Sequence, residues 1–489
     1  MIVLHEKIDV ARPPREAFAY IADFSTTEEW DATATDARKT TPGPIDRGTR
    51  FEVVCSLPLG SVTLDYTITR LEPDRLIELQ GTSRFFTVTD TITFEATASG
   101  AHIDYRARFT FKGFLAGLAP RFTEGMRRMG RASVEGLREA LEDNYPPPKA
   151  APDTRRADRW VLPGLLHFTR AGYRRGRKRW NPVSAWMGGK HVVVTGASSG
   201  LGRAAAIQLA RRGAELTLVI RNEEKARELV DAIRRETGNH RIHVELADLA
   251  LIKDVDGLAA RLRDKGKSID VLINNAGALF NPRQVTSEGF EKSFALLLLS
   301  PFRLTLGLYP LLVGAGNARV VNVVSGGMYT QPLDVDRLQA PEPDYSGSVA
   351  YARCKRALMV VTEQWAQAWA DQGIVVNAMH PGWADTPGVQ SALPGFHRLT
   401  RRILRSPAEG ADTMVWLAMA TEAGKVTGAL FLDREPRTTH LKSTTRESTM
   451  ERERLQTYLA QFAPPQAAEA PTAVSVSGRV SVSGRVSGR

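Results

Sequence analysis

The stretch His191-Val192-Val193-Val194-Thr195-Gly196-Ala197-Ser198-Ser199-Gly200-Leu201-Gly202-Arg203-Ala204-Ala205-Ala206-Ile207-Gln208-Leu209-Ala210 decides the fold. It opens as an apolar, β-branched run. It passes into a turn with glycines spaced G-x-x-x-G-x-G and continues as an alanine-rich helix. Strand, glycines and helix in this order bring backbone N–H groups at a helix start against a diphosphate. Alone, the turn licenses a phosphate-binding loop and no more. Outward from it, apolar runs at 192–195, 216–220, 243–246, 271–273, 320–324, 375–379 and 429–432 alternate with helical stretches. Near-continuous apolar strands are expected where both sheet faces are covered. The alternation predicts an α/β Rossmann-type, doubly wound parallel sheet. A charged helix over 445–462 follows, so this domain is taken as 188–462.

Residues 1–145 read differently. Val3 to Val10 alternates as a strand, and Pro13-Pro14 opens a helix toward Asp23. Period-two runs follow at 50–57, 61–71, 76–82, 85–96 and 102–111, separated by turn signals. A long amphipathic helix closes the unit over 116–143, with Phe122, Met126, Met129, Val134, Leu137 and Leu141 at helical spacing. A curved antiparallel sheet over one helix buries apolar residues on one face, and a gap between them makes a greasy pocket. Asp65, Asp90, Asp104 and His102 lie on these strands and are read as facing solvent.

Pro146-Pro147-Pro148 ends the helix and starts a linker over 146–187. The net charge of +11 is concentrated there: residues 151–190 hold ten Lys and Arg against two Asp and Glu. From Trp160 to Trp180, aromatic and leucine residues sit beside the cations. That pattern suits either a membrane surface or packing on the next domain. No recognition fold for nucleic acid accompanies it. The tail over 463–489 ends in Val-Ser-Val-Ser-Gly-Arg repeats and cannot bury a core. The two cysteines, Cys55 and Cys354, fall in different units, which suits a reducing compartment. The N-terminus has charges too early for a signal-peptide core, and no apolar run approaches a membrane span. The expected location is cytoplasmic, with peripheral membrane contact through the basic stretch. No metal site is expected.

Five further patterns carry chemistry. Thr195-Gly196-Ala197-Ser198-Ser199-Gly200-Leu201-Gly202 fits T-G-x-x-x-G-[IL]-G, and Asn274-Asn275-Ala276-Gly277 follows a strand. Ser325 ends the 320–324 strand, Tyr351 and Lys355 form Y-x-x-x-K, and Pro381-Gly382-Trp383-Ala384-Asp385-Thr386 forms P-G-x-x-x-T. Tyr and Lys at i and i+4 share one helix face. A nearby ammonium is expected to lower the phenol pKa and suit it for general acid or base work.

Together these motifs resemble the short-chain dehydrogenase/reductase superfamily. The resemblance implies Ser325, Tyr351 and Lys355 as catalytic residues. It implies cofactor contacts by Thr195, Gly196, Ser198, Ser199, Gly200, Leu201, Gly202, Asn275, Ala276, Gly277, Pro381, Gly382 and Thr386, with Tyr351 and Lys355 on the nicotinamide ribose. Asp248-Leu249 matches the adenine-contacting pair. The second strand ends in Arg221-Asn222 with no acid before Glu223, so NADP(H) is favoured over the alternative, NAD(H). The stretches Phe168–Tyr173, Ser325–Met328, His380–Val389 and Asp433–Leu441 resemble a narrower group, the member-twelve dehydrogenase/reductases. The opening Val10–Asp23 and the element order of 1–145 resemble the START-like, SRPBCC or polyketide-cyclase superfamily. That implies an α+β helix-grip fold holding a hydrophobic ligand.

One position departs. Leu297 stands where the dehydrogenase family places an asparagine that shapes a helix bend and carries a water for the lysine. Its loss is expected to remove the group shaping the bend and to slow turnover. Two readings follow. One is an NADP(H)-dependent oxidoreductase on a hydrophobic carbonyl or alcohol, with homo-oligomerisation through the dehydrogenase domain. The other is an NADP(H)-binding regulatory or lipid-carrier protein with weak or no catalysis.

Overall fold

The computed structural model describes residues 1–464 except 58–59, 114, 159–165, 340–342, 344 and 393. The terminal repeat read as disordered, and Trp160–Leu165 of the basic stretch, lie outside the described residues. In the first unit, β1 (Ile2–Val10) is followed by helices Pro14–Ala22 and Thr27–Trp30. Then come β2 (Ala34–Lys39), β3 (Arg50–Leu57), β4 (Gly60–Glu72), β5 (Leu76–Thr82), β6 (Phe86–Ala96) and β7 (Ala101–Phe111). They form one seven-stranded sheet in the order β1-β7-β6-β5-β4-β3-β2, antiparallel throughout. Helix Leu115–Glu142 lays Val134, Leu137, Ala140 and Leu141 on its concave face. Strand β2 was missed in the sequence because Ala34-Thr-Asp-Ala-Arg-Lys is polar, as suits an edge.

The second unit holds β8 (His191–Thr195), β9 (Glu215–Ile220), β10 (Ile242–Leu246), β11 (Val271–Asn274), β12 (Ala318–Val323), β13 (Ile374–Met379), β14 (Leu430–Leu432) and β15 (Glu435–Arg437). Their order is β10-β9-β8-β11-β12-β13-β14-β15, parallel up to β14. Strand β15 is antiparallel to β14. The connecting residues Asp433 and Arg434 both have positive φ, at 55° and 59°. Such a two-residue turn usually takes Asn-Gly, so the hairpin carried no sequence signal. The buried pair of Asp433 with Arg405 (2.6 and 2.8 Å) and that of Arg434 with Asp412 hold it.

The basic stretch packs on both units rather than running free. Phe168, Tyr173, Val183 and Met187 are buried. Ser184 Oγ donates to Ala140 O (2.6 Å), and Val183 N donates to Glu29 (3.1 Å). Across the two units, Asp143 accepts from Arg12 (3.0 Å) and from Thr421 (2.6 Å). Among the described residues no helix is long and apolar enough to cross a membrane.

Candidate active site

Every predicted site motif lies at the C-terminal edge of the parallel sheet, where α/β sheets bind ligands. At the end of β8, Thr195 Oγ1 donates to Ile273 O (3.1 Å) and accepts from Asn275 N (2.9 Å) and Ala276 N (3.0 Å). Asn275 Nδ2 returns bonds to Thr195 O and Gly196 O. The glycine turn and Asn275-Ala276 are thereby one rigid body. Gly196 has φ +64°, and a Cβ there would stand 2.8 Å from Ala276 Cα. A Cβ on Gly202 would stand 2.4 Å from Gly196 O. Gly200 (φ +53°) faces Thr386 across a gap that a Cβ would narrow to 3.3 Å. Helix Gly200–Arg211 begins at Ser199, whose side chain does not cap it. Its first N–H groups have no intrahelical partner and point at this cleft. Ser198 is partly buried and Ser199 exposed beside them.

Arg221 and Asn222 follow β9, next to the turn. Arg221 is exposed and makes no ion pair or hydrogen bond among the described residues. Asn222 has a structural duty: its Oδ1 caps helix Glu223–Thr237 by accepting from Lys225 N (2.9 Å). Asp248 Oδ1 accepts from Ala250 N, and Leu249 is buried in the core. Backbone groups are therefore what Leu249 can offer a ligand.

Ser325 ends the loop after β12, and its Oγ accepts from Gly327 N (3.2 Å). The same hydroxyl meets that of Tyr351, which helix Gly347–Ala368 presents. One turn on, Lys355 Nζ donates to Val323 O (2.7 Å) and lies 6.0 Å from the Tyr351 ring centroid. Asn274, Asn322, Thr305 and Thr362 form a buried hydrogen-bonded chain that ties this helix to β11 and β12. Asn274, to which no role was assigned from sequence, thus links the sheet to the helix that carries Tyr351 and Lys355.

One expectation is corrected. Burial raises the Tyr351 pKa; its contact with Ser325 opposes this, and Lys355 does not pull it down. Lys355 Nζ is turned to Val323 O, 6.0 Å from the ring centroid, and burial lowers its own pKa to about 8. The asparagine side chain that shapes the bend in the family is missing, and the bend is nonetheless present: Ala295–Leu299 forms a π-helical turn with Leu297 fully buried. Packing of the apolar run against the core holds that turn in place of an amide. A Cβ on Gly277 would stand 3.2 Å from Leu297 Cδ2 and 3.8 Å from Lys355 Nζ, so the leucine lines the lysine's surroundings.

The loop Pro381–Thr386 closes the far side. Gly382 (φ +70°) is pressed against Arg405 and Phe168 O. Trp383 N donates to Phe168 O (2.7 Å), and Asp385 N to Arg405 O (2.8 Å). Phe168 packs on His380 (4.7 Å) and Trp383 (6.0 Å), and its ring abuts Gly326 beside Ser325. Arg405, fully buried, donates to the carbonyls of His167, Phe168 and Thr169. Sequence reasoning missed Arg405 altogether, because a lone arginine in a basic chain carries no pattern. Among the described residues no cluster could hold a metal ion.

With the fold and this constellation in place, the comparisons with known proteins define the class. Residues 190–395 match the family described as short chain dehydrogenase, and residues 1–142 match the one described as polyketide cyclase / dehydrase and lipid transport. The chain belongs to the short-chain dehydrogenase/reductase family and carries a polyketide-cyclase-type domain ahead of it. Over 308 residues it is 40% identical to human dehydrogenase/reductase SDR family member 12, covering 62% of this chain and 96% of that one. Human retinol dehydrogenase 13 is 34% identical, over 51% of this chain and 78% of its own. Mouse polyprenol dehydrogenase is 35% identical, over 52% and 78%. Among solved structures, L-sorbose reductase from Gluconobacter frateurii, complexed with NADPH and L-sorbose, is similar at a TM-score of 0.43. It is 24% identical and covers 53% of this chain and 99% of its own. The protein is an oxidoreductase of the family that acts on alcohol and carbonyl groups.

Proposed function

We propose that the protein is an NADP(H)-dependent oxidoreductase interconverting a hydrophobic carbonyl and its alcohol. The observation that carries this reading is the meeting of Ser325, Tyr351 and Lys355 beside a glycine cradle that added Cβ atoms would fill. Bound NADP(H) would supply the hydride. The chain's own residues would do the rest. The helix start at Gly200 and the turn from Gly196 to Gly202 would take the diphosphate. Arg221 would take the 2′-phosphate. Tyr351 Oη, beside Ser325, would give or take the proton at the substrate oxygen, and Ser325 would hold that oxygen. Phe168 and Trp383 make the wall beside Ser325 aromatic, which supports a hydrophobic substrate. The lipid-carrier alternative rests on Leu297, and the intact bend weakens it. The test is NADPH-dependent reduction of a panel of lipid ketones. Wild type is expected to prefer NADPH to NADH, and Arg221→Asp to reverse that preference. No turnover of any ketone, with NADPH bound tightly, would favour the carrier.

The basic stretch supports a second element, peripheral contact of a cytoplasmic protein with an anionic membrane. Helix Arg170–Arg177 and the segment around Arg402 border a cleft of about 460 Å³ lined by Arg170, Arg174, Arg175, Lys178, Arg402 and Ile403. Leu166, Leu399 and Ile403 on the same two segments are 68%, 87% and 43% exposed. Apolar side chains within a cationic belt suit a headgroup layer. Co-sedimentation with phosphatidylglycerol vesicles and not with phosphatidylcholine vesicles is expected, weakened by Arg174→Glu with Arg402→Glu. Equal sedimentation with both vesicles contradicts this.

A further inference from the structure

Strand β6 alternates buried and partly exposed residues, and its buried row is Phe86, Val88, Asp90, Ile92 and Phe94. Asp90, read from the sequence as facing solvent, is therefore a carboxylate in the apolar row beneath the long helix. It is 2% exposed, and its Oδ2 has no hydrogen-bond partner among the described residues. Asp65 does face solvent, and Asp104 pairs with His5, Lys7 and Arg106. The period-two pattern held the signal, since Asp90 shares its phase with four apolar neighbours.

The surroundings of Asp90 are built. Tyr66 on β4 and Tyr105 on β7 flank it on the same face of the sheet. Tyr66 fits because β5 opposes it with Gly81, where a Cβ would stand 2.7 Å from the ring. Cys55 on β3 and Asp31, before β2, complete the ionisable groups facing it. Asp31 is occupied by Ser133 of the long helix (2.8 Å) and by Thr33 (2.8 Å). Cys55 is pushed up to about 11 by burial and stays a thiol. Burial raises Asp90 to about 7, against the hydrogen bonds of the two tyrosines. It can then carry a proton at neutral pH and donate it in a hydrogen bond.

Among the described residues of the long helix, burial falls toward the N-terminal end. Val134 and Leu137 are buried, whereas Phe122, nearer the helix start, is 41% exposed. Phe122 stacks on Phe111, which packs on Phe86, two side chains from Asp90 along the buried row. A chain of aromatic contacts thus links the N-terminal half of the helix to the buried row that holds Asp90.

We infer that Asp90, flanked by Tyr66 and Tyr105, is the polar anchor of a ligand site in the N-terminal domain, taking an apolar molecule by a single carbonyl or hydroxyl oxygen. This rests on the reading of that domain as a hydrophobic-ligand domain. It makes the ligand of the first domain the same chemical class as the substrate of the second.

The test uses the full chain and two fluorescent probes. One is 6-propionyl-2-dimethylaminonaphthalene, an apolar ketone; the other is its 6-propyl analogue without the carbonyl. Asp90→Leu is expected to weaken ketone binding at least about tenfold and to leave the propyl analogue within about threefold. Wild-type affinity for the ketone should fall as pH rises through 7, where Asp90 loses its proton. Asp90→Asn, which donates at every pH, should bind the ketone with no such fall. Equal binding of both probes by wild type and Asp90→Leu overturns the anchor and leaves the hydrophobic-ligand reading standing. Failure of both probes to bind wild type overturns the two together. Should Asp90→Leu not fold, an unchanged pH profile in Asp90→Asn overturns the anchor alone.

Discussion

Lys355 and Leu297 both border Gly277 in the candidate site. The ammonium sits in apolar surroundings that include the leucine, and burial holds its pKa near 8. A depressed lysine is charged below that value and neutral above it. The step that needs the ammonium should therefore be lost as pH rises through about 8. Leu297→Asn replaces the isopropyl end of the side chain with an amide that can solvate the charge. It is expected to move the alkaline limb of the kcat/KM profile up by about one unit. An unmoved limb would show that Leu297 does not govern the lysine. Asp90 illustrates the opposite sign. Its folded pKa is raised from 3.8 to about 7, so its contribution to stability is lost as pH rises between those values. A protein stores such a cost where function uses the group.

At the scale of elements, the loop Pro381–Thr386 is held by a group far from it in sequence. Arg405 binds the carbonyls of residues 167–169 and pairs with Asp433, itself in the β14–β15 turn. Arg405→Met leaves Asp433 charged and buried, and is expected to cost about 3–5 kcal/mol in thermal or urea unfolding. Adding Asp433→Asn, which tolerates positive φ, should return much of that; no recovery in the double variant would mean that the pair is not what holds the turn. This network was invisible in the sequence, because ion pairs have no period. The motifs were legible because they are local. Glycine spacing, Y-x-x-x-K and period-two strands each report neighbours within a few residues. What the sequence could not say depends on contacts distant in the chain: Phe168 against Gly326, the bend at Leu297 kept by packing, and Asn274 tied to Thr305. Asp90 stands between these cases. Its phase was readable, but a general preference for exposed acids outweighed the pattern.

For the whole molecule, the long helix meets the rest of the chain at its C-terminal end: Ala140 O accepts from Ser184 of the basic stretch, and Asp143, just past the helix, from Thr421 of the dehydrogenase domain. Its loose end, at Phe122, lies about 30 Å away along the helix axis. Phe122 is thus remote from the contacts that Ala140 and Asp143 make. The proposed chemistry rests on Tyr351 beside Ser325. The most direct measurement is reduction of a lipid ketone with NADPH carrying deuterium at the transferred position, followed by mass spectrometry of the alcohol. Wild type should place one deuterium on the carbinol carbon, and Tyr351→Phe should form that product at least about a hundredfold more slowly. Labelled alcohol forming at the same rate with both proteins would contradict the account.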